Sequence, residues 1–116
     1  MKEDNIIVVK SKSFAIRVIN LYNYLKQEKQ EYVLSKQILK SGTSIGANVR
    51  EAARAQTKAD FVAKSSIALK EADETCYWLE LLHETAYIDE SSYNSIYADA
   101  NELVKLLVSI IKTAKQ

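Results

Sequence analysis

The chain has 116 residues, a formal net charge of +1, one cysteine, two glycines and no proline. A single cysteine excludes a disulfide framework, no apolar run approaches the roughly 18 residues of a membrane span, and the scarcity of glycine and proline removes the turn punctuation of an all-β fold. One cytoplasmic, all-helical domain over residues 1–116 is the expectation, large enough for its own core and small enough to gain from oligomerisation.

The near-zero charge conceals an uneven distribution. Residues 1–58 hold 11 Lys/Arg and 5 Asp/Glu (+6), residues 59–104 hold 2 and 10 (−8), and residues 105–116 hold 3 and none (+3). Such segregation suits a basic binding face, or charge-complementary contacts between helices and subunits.

Residues 1–10 contain the β-branched run Ile6, Ile7, Val8, Val9, which is too short for a secretory signal. It reads as an extended arm packed on its own bundle or a neighbour's. The first helix is expected over about residues 11–30, capped by Ser11 or Ser13, with Phe14, Val18, Leu21, Tyr22 and Leu25 on one face.

The second helix is expected over about 35–57, with Ser35 as its cap. Its apolar arc is Leu34, Ile38, Ile45, Val49 and Ala52. Beside it Gln37, Ser41, Ser44, Asn48 and Glu51 recur at 4-3-4-3 spacing within about 80° of arc. Gly42 and Gly46 lie in its interior, where each costs about 1 kcal/mol relative to alanine, so their spacing predicts another helix crossing closely there.

The third helix, about 58–86, carries the cleanest heptad: Phe61, Ser65, Ala68, Ala72, Thr75, Leu79, Leu82, Ala86. Small residues dominate that seam, which favours a tight hairpin with the second helix. The fourth helix, about 90–114, starts near Asp89 or Ser91 and turns Tyr93, Ile96, Ala100, Leu103, Leu107, Ile110 and Ala114 inward. Four such helices with short connections make an antiparallel up-down-up-down four-helix bundle, with the N-terminal arm outside it.

Several of these segments carry a family resemblance. KSF at Lys12–Phe14, Gln37, the block SGTSIGANVREA from Ser41 to Ala52, Asp60-Phe61, and ALKEA followed by WLELL up to Leu82 are similar to the helical-bundle proteins encoded in intervening sequences of bacterial 23S ribosomal RNA genes. The similarity covers nearly the whole chain. A more distant similarity is to the accessory bundle proteins of diversity-generating retroelements, which bind nucleic acid and a reverse transcriptase. The resemblance implies a left-handed bundle assembled as a homopentamer, with RNA or another nucleic acid as partner and no known catalytic activity.

Two sets of residues are candidate sites. The polar stripe could line a subunit interface or bind a ligand, or could instead form a buried network that fixes helix register. Lys36, Lys40, Arg50, Arg54 and Lys58 lie opposite the apolar arc of the second helix, and Lys10, Lys12 and Arg17 could join them from the first, as a row able to follow a phosphate backbone or as a solvated face. Tyr22, Tyr24 and Tyr32 could stack on bases or simply pack at the boundary.

On the third helix, Asp60 and Lys64, and Lys70 and Glu74, are spaced as i,i+4 ion pairs. Glu71 is a candidate for a salt bridge to a neighbouring subunit's basic second helix, or for plain solvation, and Trp78 for an anchor at the bundle's edge or an interface. The step Glu80-Leu-Leu-His83 matches half of a di-iron motif, but such a site needs a second copy and further inward glutamates, and the chain has one histidine. No Gly-rich phosphate loop, repeated metal ligands or nucleophile-base pair is present, and Cys76 has no histidine at helical spacing. The expectation is therefore a non-enzymatic homo-oligomer without cofactor that associates with RNA or DNA, or alternatively a scaffold module that binds a protein partner.

Overall fold

The structure, a computed structural model, describes residues 2–116, with side chains from Ile6 onward. It consists of α1 (Lys2–Lys29), α2 (Leu34–Ala53), α3 (Lys58–Glu84) and α4 (Glu90–Lys115). Contacts join α1 to α2, α2 to α3, α3 to α4 and α4 back to α1, with no diagonal pair among the described residues, so the four helices close a bundle 44 Å long. The connections are four or five residues long, which makes sequential neighbours antiparallel.

The expected extended arm over residues 1–10 is not formed, and Met1 lies outside the described residues. Ile7, Ser11, Phe14, Val18, Leu21 and Leu25 follow one 4-3-4-3-4 stripe, and Ile7 is buried in the same core as Phe14 and Val18. Burial of that stripe outweighs the modest strand preference of the β-branched run. Ser11 and Ser13 accordingly lie within α1 and cap nothing; Ser11 is buried and donates to the Val8 carbonyl at 3.3 Å.

The α2 cap also differs from expectation. Val33 occupies the N-cap position and makes no side-chain cap bond. The buried Glu31 carboxylate substitutes for it, accepting the N–H groups of Val33 (3.1 Å), Leu34 (3.0 Å) and Ser35 (2.7 Å), while Ser35 Oγ donates back to the Glu31 carbonyl at 2.8 Å. An anion at a helix N-terminus satisfies orphan donors and complements the dipole. At the other end α2 stops at Ala53, four residues early, because Thr57 N-caps α3 by accepting the Asp60 N–H at 3.0 Å.

The expected close crossing is present, and α1 makes it. A Cβ on Gly42 would stand 2.7 and 2.8 Å from the methyls of Val18, and one on Gly46 would stand 3.4 Å from the Ser11 carbonyl oxygen. The α3 seam is buried from Ser65 through Leu82, while Phe61 is half-buried at its start. Ala86 falls outside the helix, exposed, with φ of 66°. Its N–H bonds the His83 carbonyl at 3.0 Å and the Tyr87 N–H bonds the Leu82 carbonyl at 2.9 Å, a Schellman closure. Along α4, Ile96, Ala100, Leu103, Leu107 and Ile110 complete the core.

Candidate nucleic-acid interface

Four of the expected cations share one surface. Lys36, Lys40, Arg50 and Arg54 are all exposed, and at 100° per residue they lie opposite the buried Ile38, Ile45 and Val49. Thr43 and Ala47 complete this outward face; Glu51 stands at its rim, paired with Lys64, and Glu71 of α3 lies close enough to Lys40 to feel its charge. Among the described residues none of the four is within salt-bridge distance of a carboxylate, unlike Lys10, Arg17 and Lys64. Lys12 joins them from α1: with Arg50, Arg54 and the carboxylate of Glu51 it borders a groove of about 420 Å³ whose walls include the small residues Ala15, Gly46 and Ala47. Close approach at the glycines is what brings Lys12 beside Arg50.

Arg17 and Lys58 stand apart from that row. Arg17 turns to α4, pairing with Asp99 at 2.7 Å and donating to the Ser95 hydroxyl at 3.1 Å. Lys58 is the first residue of α3 and donates to the Gln116 carbonyl at 3.1 Å. Lys10 is likewise bound to Glu102 at 2.8 Å, so the α1–α4 seam uses two cations from the basic half of the chain.

The polar stripe runs down the flank of α2 toward α3 and is only partly enclosed. Ser41 is buried, Ser44 and Asn48 are half-buried, and Gln37 and Glu51 are exposed. Thr75 Oγ1 lies 2.8 Å from both Ser41 Oγ and the Glu71 carbonyl. Ser44 donates to the Lys40 carbonyl at 2.7 Å and Asn48 to the Ser44 carbonyl at 2.9 Å, bonds local to the helix. Glu51 pairs with Lys64 at 3.0 Å, and this bond, followed by the attraction of the same carboxylate, raises the lysine pKa. The stripe thus joins α2 to α3 through Ser41 and Glu51.

Lys64 therefore reaches across to α2 rather than to Asp60, which is exposed and has its own N–H held by the Thr57 cap. Glu74 likewise accepts the Trp78 indole N–H at 3.3 Å. Trp78 is half-buried with its ring 5.3 Å from that of Tyr77. Glu71 is half-buried, and desolvation, followed by repulsion from Glu74, lifts its pKa. Tyr24 and Tyr32 are exposed, while Tyr22 lies under the Lys26 ammonium at 4.9 Å.

At the α3–α4 seam His83 stacks on Tyr93 with centroids 4.3 Å apart, and Tyr97 donates to Glu80 at 3.3 Å. Burial leads the causes that push the Tyr97 phenol up to about 12. The Glu80–His83 pair is thereby engaged with aromatic rings. No group of three or more His, Cys, Asp or Glu side chains among the described residues could hold a metal ion. Cys76 is buried, its thiol pushed up to about 11, chiefly by desolvation.

One feature escaped the sequence reading. The outward side of α1 exposes Val9, Ile16 and Ile19 by 65, 54 and 43%. Their signal in the sequence is the seven-residue step from Val9 to Ile16, which the β-branched run over Ile6–Val9 masks. No described helix is long and apolar enough to cross a membrane.

Comparison with known proteins adds to this geometry. No curated protein matches the chain. A crystal structure of a protein of unknown function, from the S23 ribosomal protein family of Bacteroides thetaiotaomicron VPI-5482, is 59% identical. The match covers 95% of this chain and 98% of that one, with a TM-score of 0.93. The sequence model of the 23S rRNA-intervening sequence protein family matches residues 3–109. With nearly its whole length matched, the chain belongs to the 23S rRNA-intervening sequence protein family.

Proposed function

We propose that this chain is a non-enzymatic, homo-oligomeric bundle acting in the cytoplasm as an RNA-associated accessory protein, and that RNA lies against the outward face of α2. The observation that carries this reading is the row Lys36, Lys40, Arg50, Arg54, exposed, without an ion pair among the described residues and extended by Lys12 across the groove. Unneutralised cations along a rigid helix gain most from a polyanion that releases its counterions on binding. The family name supports RNA over DNA as the first ligand to test. A ring of five copies is the assembly that the resemblance implies.

The test is a titration of nuclease-treated protein with structured rRNA fragments at about 50 and 200 mM salt, where phosphate contacts show as a steep loss of affinity. Binding that weakens steeply with salt, and is abolished by the combined variant Lys36→Gln/Lys40→Gln/Arg50→Gln/Arg54→Gln, is the expected result. No binding at the lower salt overturns the reading.

A second reading, a scaffold that binds a protein partner without nucleic acid, is favoured by the exposed apolar side of α1. The same titration separates the two, since a scaffold gives no binding at either salt.

A further inference from the structure

The outward face of α2 is not evenly charged along its length. Its helical positions Lys36, Lys40, Thr43, Ala47 and Arg50, continued by the C-cap residue Arg54, advance in 4-3-4-3-4 steps within about 80° of arc, with cations at both ends and a neutral middle. Within each pair the step of four residues is about 6 Å along the axis. From Lys36 to Arg50, and from Lys40 to Arg54, it is about 21 Å. Lys12 adds a third cation to the Arg50 and Arg54 end, where the carboxylate of Glu51 is already paired with Lys64.

The middle has little with which to read a base. The Thr43 hydroxyl donates to the Leu39 carbonyl at 2.7 Å, and Ala47 has no polar side-chain atom. No aromatic residue stands on the face; the exposed Tyr32 lies in the loop ahead of α2 and the exposed Tyr24 on α1. Proteins that hold single strands combine a continuous cationic track with aromatic faces for stacking, whereas phosphate contacts position a ligand without specifying its sequence. Two cation clusters at a fixed separation instead suit a ligand stiff enough to present phosphates at that separation, as a duplex is.

Resting on the RNA reading above, we infer that this face bridges the two phosphate strands of double-helical RNA, one cation cluster to each strand, and recognises the duplex by shape rather than sequence. Shape and backbone contacts are the usual means of duplex RNA recognition, because the A-form major groove is too deep and narrow for side chains.

The experiment measures binding of the full chain to a fluorescent RNA hairpin with a stem of about 16 base pairs, a scrambled hairpin of equal length, the unpaired strands, and the matching DNA duplex. Circular dichroism serves as the control that Lys36→Gln/Lys40→Gln and Arg50→Gln/Arg54→Gln remain folded. The two hairpins should bind alike, the single strands at least about tenfold more weakly, and each double variant should lower the salt slope by about 2. Single strands bound as tightly as the hairpins, a preference for one sequence, or an effect confined to one cation pair would overturn the inference while leaving the RNA reading intact. DNA bound more tightly than RNA would overturn RNA as the source of the duplex, and no binding to any probe would overturn the RNA reading itself.

Discussion

Thr75 Oγ1 and Ser41 Oγ lie 2.8 Å apart at a buried contact between α3 and α2. The threonine hydroxyl is also 2.8 Å from the Glu71 carbonyl and has one proton to give. Donation to the carbonyl with acceptance from Ser41 satisfies both side chains, so the two hydroxyls act as a unit. Removing both together leaves no orphan, whereas removing Thr75 alone leaves Ser41 without its cross-helix partner. Ser41→Ala and Thr75→Val should each cost about 1 kcal/mol in urea unfolding, and the double variant clearly less than their sum. Strict additivity would contradict the coupling.

The two glycines of α2 are not equivalent. At Gly42 an added methyl meets the stiff, fully buried Val18, whereas at Gly46 the nearest atom stands at ordinary contact distance. Gly42→Ala should destabilise by about 1 to 3 kcal/mol through overpacking, with partial recovery in Gly42→Ala/Val18→Ala. Gly46→Ala should be neutral or stabilising by up to about 1 kcal/mol, since it removes a mid-helix glycine. Equal effects at the two positions in thermal unfolding would refute the packing argument.

These glycines also mark how much was legible beforehand. Helical spacing identified the core faces, because Phe14, Val18, Ile38, Ile45, Leu79 and Leu103 report the 3.6-residue period directly. The termini were less legible. A β-branched run hid the first turns of α1, and Ser35 looked like a cap when the buried Glu31 performs that task. The cation row on α2 was visible as sequence, but which cations share it depends on pairing between distant residues: Asp99 draws Arg17 to α4 and Glu51 draws Lys64 to α2.

Ala86 adopts φ of 66° at the end of α3, a conformation that costs an L-residue with a Cβ roughly 1 to 2 kcal/mol. Ala86→Gly relieves that cost and gives some of it back as backbone entropy. A gain of about 0.5 to 1 kcal/mol in chemical denaturation is expected, with the Schellman bonds retained. A loss of stability would show that the strain is not there.

The outward side of α1 offers a test of the proposed homo-oligomer. Val9 and Ile16 are more than half exposed, and each is a poor choice for a helix surface facing only water. Ile16→Lys should leave helicity unchanged and shift the mass measured by sedimentation equilibrium toward the monomer. An Ile16→Lys variant of unchanged mass would place the subunit contact elsewhere, and a wild-type chain that is itself monomeric would overturn the proposed homo-oligomer.

Lysine footprinting tests the central claim most directly, by comparing acetylation of the full chain with and without saturating structured RNA. Protection of Lys12, Lys36 and Lys40, with Lys70, Lys105 and Lys112 unchanged, is the predicted result. Protection confined to the α4 lysines, or modification of Lys36 and Lys40 as fast in the RNA-bound protein as in the free one, would contradict it.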